Sequence, residues 1–181
     1  MRIIAGTARS RTIEAPKGRD TRPTLDRVRE NLFNILQRRI AGAVTLDLFG
    51  GSGALSLEAV SRGAAMAVMA DRDRAAIAAQ QLNVKNLGFE ASTRIMHAEW
   101  QQTLRILQGE GMRFDLVFLD PPYVMQDLTE VTQALIPTLA EDALVIVEHE
   151  FRTLPVVSTA YERTDTSKYG YVGVSFYRIR E

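Results

Sequence analysis

The sequence has 181 residues, 46% hydrophobic and 24% charged, with 22 basic and 22 acidic side chains and no formal net charge. That length supports one domain with a small extension, and the composition is that of a globular chain with a real core, not a disordered one. The absence of cysteine excludes disulfides and thiolate metal sites, and His97 and His149, the only histidines, have no ligand spacing, so no metal is expected. Met1–Gly6 is too short in apolar residues for a signal peptide, and no apolar run is long enough to span a bilayer; a cytoplasmic protein is expected. Charge is unevenly spread. Residues 1–40 hold ten basic side chains against four acidic ones. A basic arm on an acidic body points to an anionic partner, RNA or DNA first, with a solvated arginine-rich surface as the plain alternative.

In chain order, Arg2–Ala5 and Arg11–Ala15 pair as a small hairpin across Gly6–Ser10, with two arginines near the tip. Pro16–Asp20 is a loop by composition. Arg22-Pro23-Thr24 leads into a helix whose stripe is Leu25, Val28, Leu32, Phe33, Ile35 and Leu36, with Thr24 as the expected N-cap. From Val44 strand and helix alternate. Strands are predicted at Val44–Phe49, Ala67–Ala70, Thr93–Met96, Phe114–Leu119 and Leu144–Val147. Helices follow at Ala54–Arg62, Asp73–Leu87 (stopped by Gly88), Trp100–Leu107 and Leu128–Leu139. Such repeats build a parallel sheet with helices on both faces. After Pro155, Val156–Arg163 and Tyr171–Ile179 alternate without a helix between them and read as an antiparallel pair joined through Thr164–Gly170.

Two stretches carry chemistry. Asp120-Pro121-Pro122-Tyr123 ends the fourth strand. Each proline fixes its own φ, lacks an N–H and pushes the preceding residue into extended geometry. A carboxylate on Asp120 and the carbonyl of Pro121 are thereby held as acceptors beside the flat ring of Tyr123. That set suits a planar group carrying an exocyclic NH2, such as a nucleobase or a carboxamide; the plain alternative is a strand-ending turn. Asp47-Leu48-Phe49-Gly50-Gly51-Ser52-Gly53 lies between the first strand and its helix, where glycines admit a ligand close to the backbone. Its Gly51-x-Gly53-x-x-Ser56 spacing misses the third glycine of a dinucleotide fingerprint. With Asp47 ahead of it, the loop better suits a ligand bearing an ammonium group than a pyrophosphate. Asp71, some twenty residues on, is placed to accept from both hydroxyls of a ribose.

The order of Gly loop, second-strand acid and Asp-Pro-Pro-Tyr resembles the class I S-adenosylmethionine-dependent methyltransferases. More closely, the chain is similar to the bacterial RsmD family of small-subunit ribosomal RNA guanine-N2 methyltransferases. The residues that carry this are Met1–Gly6, Arg22-Pro23-Thr24, Asp26–Glu30, Leu32-Phe33-Asn34, Asp47–Leu55, Glu58-Ala59, Ser61–Ala64 and Asp120–Tyr123. The Arg-Pro-Thr segment discriminates, because the other motifs recur across many methyltransferases.

The resemblance implies a Rossmann-like α/β fold with a mostly parallel seven-stranded sheet and an antiparallel C-terminal strand pair. It also implies a basic N-terminal extension (1–40) that contacts RNA, ahead of a methyltransferase domain (41–181). The implied activity is methyl transfer from S-adenosylmethionine to the N2 amine of a specific guanine in 16S rRNA, within a small-subunit assembly particle, by a monomer. Asp120, Pro121 and Tyr123 would be catalytic. Asp47, Phe49, Gly50, Gly51, Gly53, Asp71, Arg72, His97 and Ala98 would hold the cofactor. Arg9, Arg11, Arg22, Thr24, Arg29 and Pro122 would meet the RNA. Two departures stand out. Asp71 replaces the family's usual Glu, and His97-Ala98 replaces its Asp or Asn before Ala; Glu99 is either a substitute adenine contact or, the reading its place favours, an exposed carboxylate at a helix start. The rivals are a DNA adenine-N6 methyltransferase, which usually needs a separate recognition region, and a protein glutamine methyltransferase, whose motif starts with Asn. A nicotinamide oxidoreductase and a non-catalytic RNA-binding assembly factor complete the set.

Overall fold

A topological reversal in the centre of one sheet positions everything else. The computed structural model describes residues 1–18 and 23–181, without the side chains of Pro23 and Thr24. Its strands are β1 (Val44–Asp47), β2 (Met66–Asp71), β3 (Thr93–His97), β4 (Phe114–Leu119), β5 (Leu139–Glu150), β6 (Tyr161–Tyr169) and β7 (Val172–Ile179). They form one seven-stranded sheet in the order β3-β2-β1-β4-β5-β7-β6. The first five are parallel, β7 runs antiparallel to β5, and β6 antiparallel to β7. From β1 the chain moves outward to β2 and β3, then returns to place β4 on the other side of β1. The carboxyl ends of β1 and β4 therefore flank a crevice where helices leave in opposite directions, the usual ligand position in such sheets.

The helices are α1 (Pro23–Ile40), α2 (Ala54–Ser61), α3 (Arg74–Leu87), α4 (Trp100–Gly109) and α5 (Thr129–Leu135). On one face, Leu104 and Leu107 of α4 and Val131 and Leu135 of α5 share a core with Leu46, Val68, Val117 and Val145. On the other, the α1 stripe of Val28, Leu32, Phe33 and Leu36 packs with Leu116, Phe118, Ile146 and Phe176. The alternation of each central strand thus feeds two cores, which is why these strands read as continuous apolar runs. Among the described residues no helix is long and apolar enough to cross a membrane.

The expected N-terminal hairpin is present in reduced form. Arg2 and Thr12 make a single antiparallel bridge, with Ile3 N–H donating to the Arg11 carbonyl at 2.9 Å and Ile13 N–H to that of Met1 at 2.9 Å. It lies on α2. Glu58, fully buried, accepts from the backbone N–H of Ile4 (2.9 Å) and Ala5 (3.1 Å) and from Nε of Arg62 (2.8 Å). Gly6 has φ +86°, and a Cβ there would stand 1.8 Å from the Ser61 carbonyl oxygen, so only glycine lets the hairpin touch α2 this closely.

Several boundaries differ from expectation. Helix α1 already includes Pro23, whose missing N–H suits a first-turn position, so Thr24 lies inside the helix and not at its cap. Helix α5 ends at Leu135 and gives way to a 3₁₀ turn at Ile136–Thr138, because Pro137 cannot continue the α-helical ladder. Strand β5 starts at Leu139, five residues early. The apolar Val156-Val157 belongs not to a strand but to a strap along the loop after β4. There Val156 N–H donates to the Gln126 carbonyl at 2.9 Å, and its own carbonyl accepts from Leu128 N–H at 2.7 Å. Strand β6 therefore begins at Tyr161 and continues through the stretch read as a loop. Tyr169 pairs with Val172 across a two-residue turn led by Gly170, φ +63°.

Candidate active site

Two adjoining cavities open at the carboxyl edge of the sheet. The larger, about 680 Å³, is lined by Phe49, Asp71, Ala98, Trp100, Asp120 and the Pro121–Met125 loop, among others. The smaller, about 210 Å³, runs under the N-terminal hairpin and α1 and is lined by Asp47, the Gly50–Ser52 backbone, Arg29, Asp120 and Glu148. Phe49 and Asp120 belong to both walls. The two lobes thus meet where β1 and β4 end, and together they match the volume of a cofactor-sized ligand site.

The Gly loop is braced from behind. Gly50 N–H donates to the Ala70 carbonyl at 2.8 Å, and the Gln80 amide donates to the Gly51 carbonyl at 3.1 Å. Gly53 leads α2 at φ +81°, where a Cβ would lie 2.9 Å from Met69 Sδ. Asp71 binds the loop to its own strand: one carboxylate oxygen accepts from Gly51 N–H at 2.9 Å, the other from Asp73 N–H at 2.9 Å. Each oxygen keeps a further lone pair for a ligand. Asp73 caps α3 by accepting from Ala75 N–H at 3.0 Å.

The acids converge. Asp47 is buried, accepts from Phe49 N–H at 3.2 Å, and has its carboxyl pushed up to about 8, first by burial and then by the Asp120 charge. Glu148, at the end of β5, is likewise raised to about 8 by burial, then by Asp120 and Asp47. A cavity that holds two such carboxyls favours a cationic occupant, which would stabilise their ionised forms. Nothing in the pattern of β5 singled out Glu148; its only signal was an acid following an apolar run. Asp120 itself is exposed to the cavity, with Pro121 buried beside it. Tyr123 is 46% exposed on the rim, and its hydroxyl is raised to about 12 by burial and by Glu148, Asp120, Tyr171 and Glu150. Pro122 is exposed and turns the loop, its carbonyl accepting from Met125 N–H at 2.8 Å.

Other expected contacts fall differently. His97 lies outside the cavity lining, its Nε2 3.0 Å from the Arg72 carbonyl. Ala98 and Glu99 face the cavity instead, with Ala98 N–H bonded to the Asp71 carbonyl at 3.1 Å and Glu99 3.7 Å from the exposed Arg72 guanidinium. Arg29 is not a surface arginine. Only 4% exposed, it donates to the Arg2 carbonyl and to Asp26, and lies 3.6 Å from Glu58. It ties α1 to the hairpin, so the phosphate contact expected of it gives way to a structural role. Arg9 and Arg11 are exposed at the hairpin, Arg11 donating to the Asn86 carbonyl. Arg22 and the Thr24 side chain lie outside the described residues. No group of three or more potential metal ligands occurs among the described residues.

The family model described as "Conserved hypothetical protein 95" matches residues 1–178. Ribosomal RNA small subunit methyltransferase D of Escherichia coli K12 is 38% identical over 183 residues, covering 98% of this chain and 89% of that protein. The chain belongs to the RsmD family. The solved structure of Escherichia coli yhhF superposes with a TM-score of 0.83 at 34% identity, covering 100% of this chain and 98% of that one. A more distant structure, SMU.776 complexed with SAH, matches at a TM-score of 0.73 and 16% identity over 88% of this chain and 50% of that one. At that identity it shows only that the RsmD chain has the class I methyltransferase fold.

Proposed function

We propose that the protein is an S-adenosylmethionine-dependent methyltransferase acting on the exocyclic N2 amine of a guanine in small-subunit ribosomal RNA. The observation that carries this reading is the shared wall at Asp120. The residue that ends the acceptor strand also borders the lobe under the Gly loop, so a donor lying along both lobes would pass the Asp-Pro-Pro-Tyr edge. The residues fit that donor: buried Asp47 and partly buried Glu148 for its ammonium group, the Gly50–Gly51 backbone beside it, and Asp71 for ribose hydroxyls. Ala98, Glu99 and Trp100 line the far end for the adenine. When bound, S-adenosylmethionine supplies a methyl group already activated on a sulfonium.

The protein's task lies on the amine side. An aromatic amine is a poor nucleophile because its lone pair is delocalised into the ring. The Asp120 carboxylate and the Pro121 carbonyl accept its two N–H bonds, turn the lone pair toward the donor and stabilise positive charge growing on nitrogen. In-line positioning supplies most of the acceleration. Tyr123 stacks on a base swung out of its RNA structure, and its hydroxyl stays neutral throughout the working pH range. Exposed Arg9 and Arg11 on the 1–40 extension contact backbone phosphates. An rRNA substrate makes this a cytoplasmic enzyme, acting as a monomer on a partly assembled small subunit.

Two predictions arise at this site. Tyr123→Ala lowers the rate or raises the KM for RNA about tenfold, while affinity for S-adenosylhomocysteine, followed by calorimetry, changes less than twofold. Equal loss of both would move the ring into the donor pocket. Asp47→Asn separates stability from binding. Because the folded carboxyl is raised well above its ordinary 3.8, the folded state holds more protons than the unfolded chain between about pH 4 and 8. The stability it contributes is complete below the ordinary value and is lost as pH rises through about 8. Thermal melts therefore show Asp47→Asn gaining stability relative to the parent as pH increases from 5 to 8, while donor affinity falls at least tenfold. A parallel pH dependence in the two proteins would contradict it.

The substrate class is tested with labelled methyl from S-adenosylmethionine, offered to small subunits and to naked rRNA from cells lacking the protein, with duplex DNA as control. Label on rRNA supports the reading; label on DNA alone overturns it.

A further inference from the structure

The rim of the cavity continues beyond Tyr123 onto a neighbouring surface that the proposed methyl transfer leaves unused. Of the nine large apolar side chains exposed among the described residues, five (Tyr123, Val124, Leu154, Val156 and Tyr171) lie on three segments that meet at this edge. The strap after β5 is bonded to the loop after β4 through Val156, and Phe151 N–H donates to the Tyr171 carbonyl at 2.7 Å, joining the strap to the β6–β7 turn. Tyr171, at the tip of that turn, is 48% exposed and close enough to Tyr123 to help raise its hydroxyl, after burial, Glu148 and Asp120. Beside it the Lys168 ammonium lies 4.8 Å over the Phe151 ring. Arg152 is also exposed, so Lys168 and Arg152 supply the cations at the outer end of this rim, while Asp120, Glu148 and Glu150 lie at its cavity end near Tyr123.

An apolar patch of this extent on a soluble protein marks a contact surface. Its chemistry is the half-exposed rings of Tyr123 and Tyr171 beside a partly exposed Phe151 ring whose face carries the Lys168 ammonium, with Arg152 next in the chain. Stacking rings flanked by ammonium and guanidinium groups are how proteins hold unpaired nucleotides, base on ring and phosphate on cation. We propose that Tyr171, Phe151 and Lys168 form a second RNA contact that holds the unpaired nucleotide next to the target guanine. The base stacks on Tyr171, and its phosphate is met by Lys168 and Arg152. The target nucleotide is thereby held on two sides, by the N-terminal hairpin and by the β6–β7 turn. This rests on the rRNA reading above and adds to it the residues that hold the flanking nucleotide.

The test compares parent, Tyr171→Ala, Tyr171→Phe and Lys168→Ala in labelled-methyl transfer to naked rRNA and to small subunits, with S-adenosylhomocysteine affinity and melting temperature as controls. Expected for Tyr171→Ala is a KM about tenfold higher on each substrate that the parent methylates and a weaker affinity for naked rRNA, with kcat and S-adenosylhomocysteine affinity unchanged and Tyr171→Phe close to the parent. Lys168→Ala weakens binding and flattens its salt dependence by about one unit of log–log slope. An unchanged KM in the variants overturns the proposal, as does a loss shared by S-adenosylhomocysteine affinity. A loss of transfer on assembled subunits with unchanged affinity for naked rRNA also overturns it, and assigns the patch to a ribosomal protein. If the parent itself methylates neither RNA, the proposed function fails first and this contact with it.

Discussion

Replacing Asp120 with alanine abolishes methyl transfer while S-adenosylmethionine binding stays within a few-fold of the parent. The reason is positional. Asp120 follows a buried strand, and the two prolines after it hold the backbone of Asp120 and Pro121 extended, so the Pro121 carbonyl and the base of the Asp120 side chain keep their direction at the cavity they line. Loss of one preorganised acceptor from a charge-developing centre costs a factor of roughly 100–1,000 in rate, and more where the same group also orients the nucleophile. On the proposed reading the donor is held mainly by groups outside this motif, namely the Gly loop, Asp47 and Asp71, so its binding is expected to survive the change. A secondary effect provides a check on geometry. Because Asp120 is the second cause, after burial, of the raised carboxyls of Asp47 and Glu148, its removal lowers both while burial keeps them above the usual range. Single-turnover transfer with rRNA measures the first effect, and transfer surviving within tenfold would contradict the assigned role.

Glu58→Ala produces the largest loss of stability expected in this chain. Its carboxylate is fully buried, bonded to two backbone N–H groups of the hairpin and to Arg62, with buried Arg29 at 3.6 Å. Burial pulls the Arg29 guanidinium below its ordinary value, and the charge of Glu58 is the largest influence opposing that. Removing the acid leaves a buried cation short of a partner and two backbone donors unmet, a combination that costs about 3–5 kcal/mol. Thermal denaturation should record a fall on the order of 10 °C for a domain of this size. The hairpin also closes the smaller lobe through Met1, Ala15 and Pro16, so donor affinity falls in the same variant. Glu58→Gln, which keeps an acceptor for one backbone N–H, loses less. A melting temperature within 2 °C of the parent would show that the hairpin is held by other means.

The central fold was readable because its signals are local. Apolar runs of four to six residues, each ended by Asp or Gly, mark β1, β2 and β4, and Pro-Pro after Asp120 marks the crevice. What failed depends on long-range packing. Val156-Val157 has the composition of a strand but spends its backbone bonds on Gln126 and Leu128, and no local pattern distinguishes the two uses. Arg29 sits off the apolar stripe of α1 and so reads as solvated, yet the hairpin folds over that side of the helix and buries it. Glu58, which the resemblance names without a role, and Glu148, which nothing singles out, escape a sequence reading for the same reason. Acids are surface residues by default, and only the folded chain brings Ile4, Ala5 and Arg29 to one and Asp47 and Asp120 to the other. The Asp71 carboxylate was placed correctly at its strand end, but its bonds to Gly51 and Asp73 could not be foreseen, since they depend on the loop turning back across β2.

The most direct test of the account is the identity of the methylated nucleoside. Small subunits from cells lacking the protein are incubated with purified enzyme and labelled S-adenosylmethionine, and their RNA is digested to nucleosides and separated by mass. Label is expected in N2-methylguanosine at one position, present with the parent and absent with Asp120→Ala. Label in N6-methyladenosine or on a ribose, or N2-methylguanosine formed equally by Asp120→Ala, would contradict it.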